Sequence, residues 1–137
     1  MLSKKEKGDI GLSYAIAVST EQGWSCCIPL SEHQRYDFIA EKDGICKRIQ
    51  ARYTTPNNEV LVIKLKNSWA DKNGNHIIKR QKGDFDYLAV FNPQNKKVYF
   101  ISDDDFENGT AINLRLVPPK NGQKKGIRMA NDFLTLK

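Results

Sequence analysis

The sequence predicts one domain of the α/β (α+β) class with a mixed central sheet. Three observations lead there. Helical apolar spacing occurs near both ends of the chain, short alternating or wholly apolar runs of strand length fill the space between, and turn-forming residues separate those runs. At 137 residues the chain is long enough for one hydrophobic core but not two.

Taken in order, residues 5–20 begin with Gly8 and Asp9 as a cap and place Ile10, Tyr14, Ala17 and Val18 at helical spacing, and Gly23 stops the helix. Residues 24–29 form a short apolar strand, followed by a polar loop at 31–34. Residues 35–40 and 45–54 read as two strands joined by Glu41, Lys42, Asp43 and Gly44, in which Asp-Gly is the strongest local hairpin signal. Thr55, Pro56, Asn57 and Asn58 end the second of these. A strand at 60–67 leads through an Asn73-Gly74 turn to a returning strand at 76–79, giving a basic β-hairpin that stands off the core. Residues 85–92 and 97–102 flank a loop at 93–96 and read as a buried hairpin. A strand at 112–117 closes at Pro118-Pro119, and residues 126–136 place Ile127, Ala130, Phe133 and Leu134 on one face of a terminal helix.

The central hairpin also carries the chemistry. A period of two puts Gln50 and Arg52 on one strand face and Ile49, Ala51 and Tyr53 on the other, while Asp37 sits on the neighbouring strand. If the strands pair, a carboxylate, an amide oxygen and a cation converge on one patch, a suitable grip for a divalent metal and a phosphate.

Composition narrows the partners. The net charge of +6 and a pI near 9.2 favour a polyanion. The cations concentrate at Lys64, Lys66, Lys72, Lys79, Arg80 and Lys82, and again at Lys120, Lys124, Lys125 and Arg128. A two-stranded basic ribbon suits a DNA major groove, although an edge hairpin kept soluble by lysines has the same composition. No apolar run approaches the ~20 residues of a membrane span, and no signal peptide is evident, so a cytoplasmic protein is expected with no membrane partner. Cys26, Cys27 and Cys46 lack metal-ligand spacing and read as buried thiols. His33 and His76 stand apart from them and read as surface residues. Successive side chains at Asp103, Asp104 and Asp105 diverge, so that run reads as the start of a helix rather than a metal cluster.

Several segments taken together resemble the PD-(D/E)XK nucleases, and within them the small group I intron homing endonucleases of cyanobacteria. They are Lys7-Gly8-Asp9-Ile10-Gly11, Ile28-Pro29-Leu30, Arg35-Tyr36-Asp37, Ile49-Gln50-Ala51-Arg52, residues 86–90, Val98-Tyr99-Phe100-Ile101 and residues 121–133 (NGQKKGIRMANDF). Their order and spacing carry the likeness, which spans most of the chain. It implies a restriction-endonuclease-like core that hydrolyses double-stranded DNA with Mg²⁺, or Mn²⁺ in its place. Asp37 matches the motif's first acid, Gln50 the second acidic position, and Arg52 the lysine. Asp37, Gln50 and the Ala51 carbonyl are the implied metal ligands, and Asp37, Gln50 and Arg52 the implied catalytic set. Lys64, Lys66, Lys72, Lys79, Arg80, Lys82, Lys124 and Lys125 are the expected DNA contacts.

There are two departures from the family pattern. Leu12 stands where the family carries glutamate, and Arg52 cannot deprotonate water as a lysine can. The expectation is therefore a sequence-specific endonuclease impaired at Leu12 and Arg52, the alternative being a nuclease-fold DNA-binding protein that does not cut. Cleaving both strands from a subunit with one active centre implies a dimer or tetramer, assembled through the terminal helix and the hairpin at 86–101.

Overall fold

The computed structural model describes residues 1–79, 83–106 and 111–137, without the side chains of 66–70 and 76–79. Arg80 and Lys82, two of the expected DNA contacts, lie outside the described residues, as do the side chains of Lys66, Lys79 and His76.

Helix α1 (Lys4–Glu21) begins one turn before the expected cap. Ser3 is the N-cap: its Oγ accepts the Glu6 N–H at 3.1 Å, and the Glu6 carboxylate accepts the Ser3 N–H at 3.0 Å. This reciprocal box satisfies two otherwise orphaned donors, and it leaves Gly8 and Asp9 inside the helix. The buried stripe also differs from expectation. Gly11, Ala15 and Ser19, spaced four apart, face the sheet; Ile10, Tyr14 and Val18 flank them half-buried, and Ala17 is exposed. Small side chains let the helix axis come close to the strands beneath.

Those strands form a five-stranded mixed sheet in the order β1-β2-β3-β7-β8. They are β1 (Ser25–Cys27), β2 (Phe38–Lys42), β3 (Ile45–Tyr53), β7 (Tyr87–Asn92) and β8 (Lys97–Ser102). All pairings are antiparallel except β3 with β7. The β2–β3 turn has Asp43 at φ 52° and Gly44 at φ 82°, the paired left-handed conformation that Asp-Gly tolerates. The hairpin of β7 and β8 is as buried as its sequence indicates, with Leu88 to Phe91 and Ile101 fully shielded.

The basic region is rearranged relative to expectation. The run at 60–67 breaks at buried Leu65 into β4 (Val60–Lys64) and β5 (Lys66–Asp71). Only β5 pairs with β6 (Gly74–Lys79), so the ribbon is shorter than 60–82. β4 pairs instead with β9 (Ala111–Arg115), a contact across about fifty residues of chain that no local pattern announces.

Two apolar clusters lie on opposite faces of the sheet. Ala15, Trp24, Phe38, Ile49, Phe91 and Phe100 fill the α1 side. Leu61, Ile63, Leu88, Tyr99, Ile101 and Leu114 fill the other, beneath β4 and β9.

The expected terminal helix is absent. Residues 126–136 contain only a 3₁₀ turn, Ala130–Phe133, since this backbone is tied elsewhere. Met129 bridges to Arg115, and the Gln22 amide clamps the segment by donating to the Leu134 carbonyl and accepting the Leu136 N–H, each at 2.8 Å. Of the two segments expected to form an assembly surface, the terminal one is therefore no helix, and in the hairpin at 86–101 β7 is interior while β8 is an edge of the sheet. Asp103–Phe106 is a 3₁₀ turn as well.

The cysteines are not the buried thiols expected. Cys27 and Cys46 are exposed and Cys26 is half-buried. Sheet register explains this, because Cys27 shares a row with Ile39 and Arg48, and Cys46 one with Glu41, on the face opposite α1. Among the described residues no helix is long and apolar enough to cross a membrane.

Candidate active site

The site arises where β2 parts from β3. Their ladder pairs Phe38 with Ile49, and the Asp37 N–H prolongs it by donating to the Ile49 carbonyl at 2.8 Å. Asp37 thus sits at the start of β2, one residue beyond the last paired position. Beyond this point β2 is gone, while β3 continues to Tyr53 paired only with β7.

Backbone direction then decides what the vacated edge presents. The Arg48 carbonyl points toward β7, where it accepts the Asp86 N–H at 2.8 Å, and the Ile49 carbonyl points toward β2. Strand alternation therefore turns both the N–H and the carbonyl of Ala51 to the open edge. The Asp37 carboxylate takes over for the missing strand, its Oδ2 accepting the Ala51 N–H at 2.7 Å. The Asp37 carboxylate and the edge-facing Ala51 carbonyl thus lie at one corner of the sheet, and Gln50 lines the groove that opens beside it.

The environment is electrostatically uneven. Burial of the Asp37 carboxyl pushes its pKa above the ordinary carboxylate value, against the Ala51 N–H and the Arg52 charge, which pull it down. Burial lowers the Arg52 pKa, and the Asp37 charge works against that shift. Asp37 and Arg52 thus sense each other. The guanidinium is also committed elsewhere: Arg52 Nη1 donates to the Lys64 carbonyl at the end of β4. This fixes Arg52 on the Gln50 face and brings Lys64, an expected DNA contact, next to the site.

Residues 50–53 form one wall of an open groove of about 460 Å³, and Lys4, Lys7 and Gly8 of α1 form the other. Neither lysine is among the DNA contacts expected from the sequence, where Lys7 enters only within the segment Lys7-Gly8-Asp9-Ile10-Gly11. Their signal was the i, i+3 spacing at the start of a helix, but that says nothing about which strand the helix packs on. Gly11 sets the depth of the groove. A Cβ there would lie 3.1 Å from both the carbonyl carbon and the oxygen of Arg52.

Other expected site residues lie apart. Leu12 packs half-buried against the apolar cluster on the α1 side and does not line the groove. Lys72 is at the tip of the β5–β6 hairpin, and Lys124 and Lys125 are on the exposed loop before the last 3₁₀ turn; all three are exposed and none lines the groove. Among the described residues, no three His, Cys, Asp or Glu side chains gather to hold a metal. Any cation in the corner would therefore rest on one carboxylate and neutral oxygens. Asp86, one strand over, is otherwise engaged. Burial works to raise its pKa, but the side-chain and backbone N–H groups of Arg48 outweigh it and hold the carboxyl below its ordinary value. Arg48 reaches Asp86 with Nε and Nη2, each at 3.2 Å, and with its backbone N–H at 2.8 Å.

Comparison with known proteins bears on the fold and the family. No curated protein matches the sequence significantly. The fold is similar to that of a solved bacterial homing endonuclease, I-Ssp6803I, with a TM-score of 0.75 and 20% identity, over 96% of this chain and 88% of that one. At that identity the likeness concerns the fold. The family model described as PD-(D/E)XK endonuclease matches residues 2–136, nearly the whole chain, and the chain belongs to that family.

Proposed function

We propose that the protein is a sequence-specific, Mg²⁺-dependent endonuclease of double-stranded DNA, of the homing endonuclease type. The observation that supports this reading is the Asp37 carboxylate held by the Ala51 N–H at the edge β2 leaves open, beside the Ala51 carbonyl and the groove that Gln50 lines. These hard oxygen donors suit Mg²⁺ or Mn²⁺ and would hold it together with water and the scissile phosphate. A cation bound there supplies an acidified water and charge stabilisation at the phosphorus. The chain's own residues do the rest. The Ala51 N–H orients the Asp37 carboxylate. Arg52, steadied by the Lys64 carbonyl, offers its remaining N–H groups to a non-bridging phosphate oxygen. Lys64, Lys66, Lys72, Lys79, Arg80, Lys82, Lys124 and Lys125 neutralise phosphates outside the cleavage point. Two subunits, or four, would bring a second centre to the opposite strand.

A second reading is favoured by two particular residues. Arg52 is tied to Lys64, and Leu12 is in the apolar cluster, so the site lacks a mobile base and a second carboxylate. On that reading the protein binds duplex DNA without cutting it. Incubating a randomised duplex library with the protein in Mg²⁺, in Mn²⁺ and in a chelator separates the two. We expect metal-dependent products of defined sequence. Specific binding with no product in either metal would leave the second reading.

A further inference from the structure

The groove wall contributed by α1 has no part in the metal corner, and its chemistry is distinct. Lys4 and Lys7 face residues 50–53 across the groove, and no carboxylate is among the groove's lining residues. Lys7 Nζ lies over the Tyr53 ring, 5.9 Å from its centroid, which holds the ammonium at the groove rather than in open water.

Gly8 lies between the two lysines. A glycine inside a helix weakens it relative to alanine, so its presence calls for a local reason. Packing supplies none, since an added Cβ at Gly8 would meet nothing within 4 Å, whereas at Gly11 it would strike β3. Gly8 also has no left-handed backbone to accommodate. What the missing side chain does is keep the groove open between Lys4, Lys7 and the exposed edge of β3.

Building on the endonuclease reading above, we propose that Lys4, Lys7 and Gly8 form a phosphate-binding subsite for a DNA-backbone phosphodiester next to the one at the Asp37 corner. An ammonium is a compact point charge that engages a phosphate without reading the base, so this subsite positions the strand and contributes no sequence preference.

The test measures duplex DNA affinity against salt concentration for folded wild-type protein and variants, checked by circular dichroism. For Lys4→Gln/Lys7→Gln we expect weaker binding by a similar factor on every sequence tried, and a salt slope reduced by about one to two. Lys7→Arg should restore most of the slope. Lys97→Gln, at an exposed position on β8, should leave it unchanged. Gly8→Ala should raise the melting temperature, because it improves the helix and meets no neighbour. Gly8→Leu, with both lysines intact, should weaken DNA binding by filling the groove. Wild-type binding with an unchanged slope in the double variant would overturn the subsite and leave the endonuclease reading standing. Absence of wild-type duplex binding would overturn both.

Discussion

Asp37 carries two loads that pull against each other. On the proposed function it must be ionised to hold a cation, yet partial desolvation raises its pKa. The folded protein therefore binds the Asp37 proton more tightly than the unfolded chain, and ionising it costs stability as pH rises through that window. Asp37→Asn keeps an oxygen for the Ala51 N–H and removes the partly desolvated charge. Its melting temperature at neutral pH should equal or exceed that of the wild type, while DNA binding persists and cleavage is lost. For the wild type, the acid limb of the cleavage profile should lie above the ordinary carboxylate range, as a pH series on one substrate would reveal. Asp86 behaves in the opposite sense. Its folded pKa is lowered, so it stabilises the protein above the unfolded value, and that contribution is lost as pH falls through the folded one. Asp86→Asn should cost about 1 kcal/mol at neutral pH, since the Arg48 pair is partly exposed, and chemical denaturation should show the gap closing in acid. At Arg52 the deficit is chemical rather than structural. Arg52→Lys should raise metal-dependent cleavage by about a hundredfold, the lower end of what a general acid or base supplies, read as single-turnover rates.

At the level of elements, α1 and β3 together build the groove, and two glycines three residues apart have contrasting roles. Gly11→Ala adds helix propensity but places a methyl 3.1 Å from the Arg52 backbone. Overpacking of this kind costs about 1–3 kcal/mol, so a melting temperature lower by several degrees is expected, together with weaker DNA binding as the helix lifts from β3. The contrast with Gly8 was not legible in the sequence, where both glycines simply interrupt a helical run. What was legible is local: the β2–β3 hairpin with its Asp43-Gly44 turn, the β7–β8 hairpin, and the alternation that separates Gln50 and Arg52 from Ile49 and Tyr53. What was missed is mostly non-local or mimicked by composition. β4 finds β9 across the chain, and the terminal segment has the apolar count of a helix but is held irregular by Gln22. The start of α1 is the exception: Ser3 and Glu6 spell a capping box in the sequence, and Gly8 with Asp9 offered a competing signal.

For the molecule as a whole, the sheet divides the labour. One face is closed by α1 and the other, over β7 and β8, by β4 and β9, and the candidate site lies at the β3 edge where β2 has left. Asp37, Gln50 and Arg52 fall within sixteen residues of one hairpin, which is why they could be read from the sequence. Lys4 and Lys7 join them only through the packing of α1 on β3. A molecule of net charge +6 with cations on several elements should bind duplex DNA with a steep salt dependence, and a flat titration would contradict a nucleic-acid role. The account stands or falls on the corner itself. The most direct measurement follows cleavage of one bound duplex by wild type and Asp37→Asn side by side in Mn²⁺, with binding quantified on the same samples. Equal binding, with cutting confined to the wild type, is the predicted result. Equal cutting by both proteins would show that the metal corner lies elsewhere.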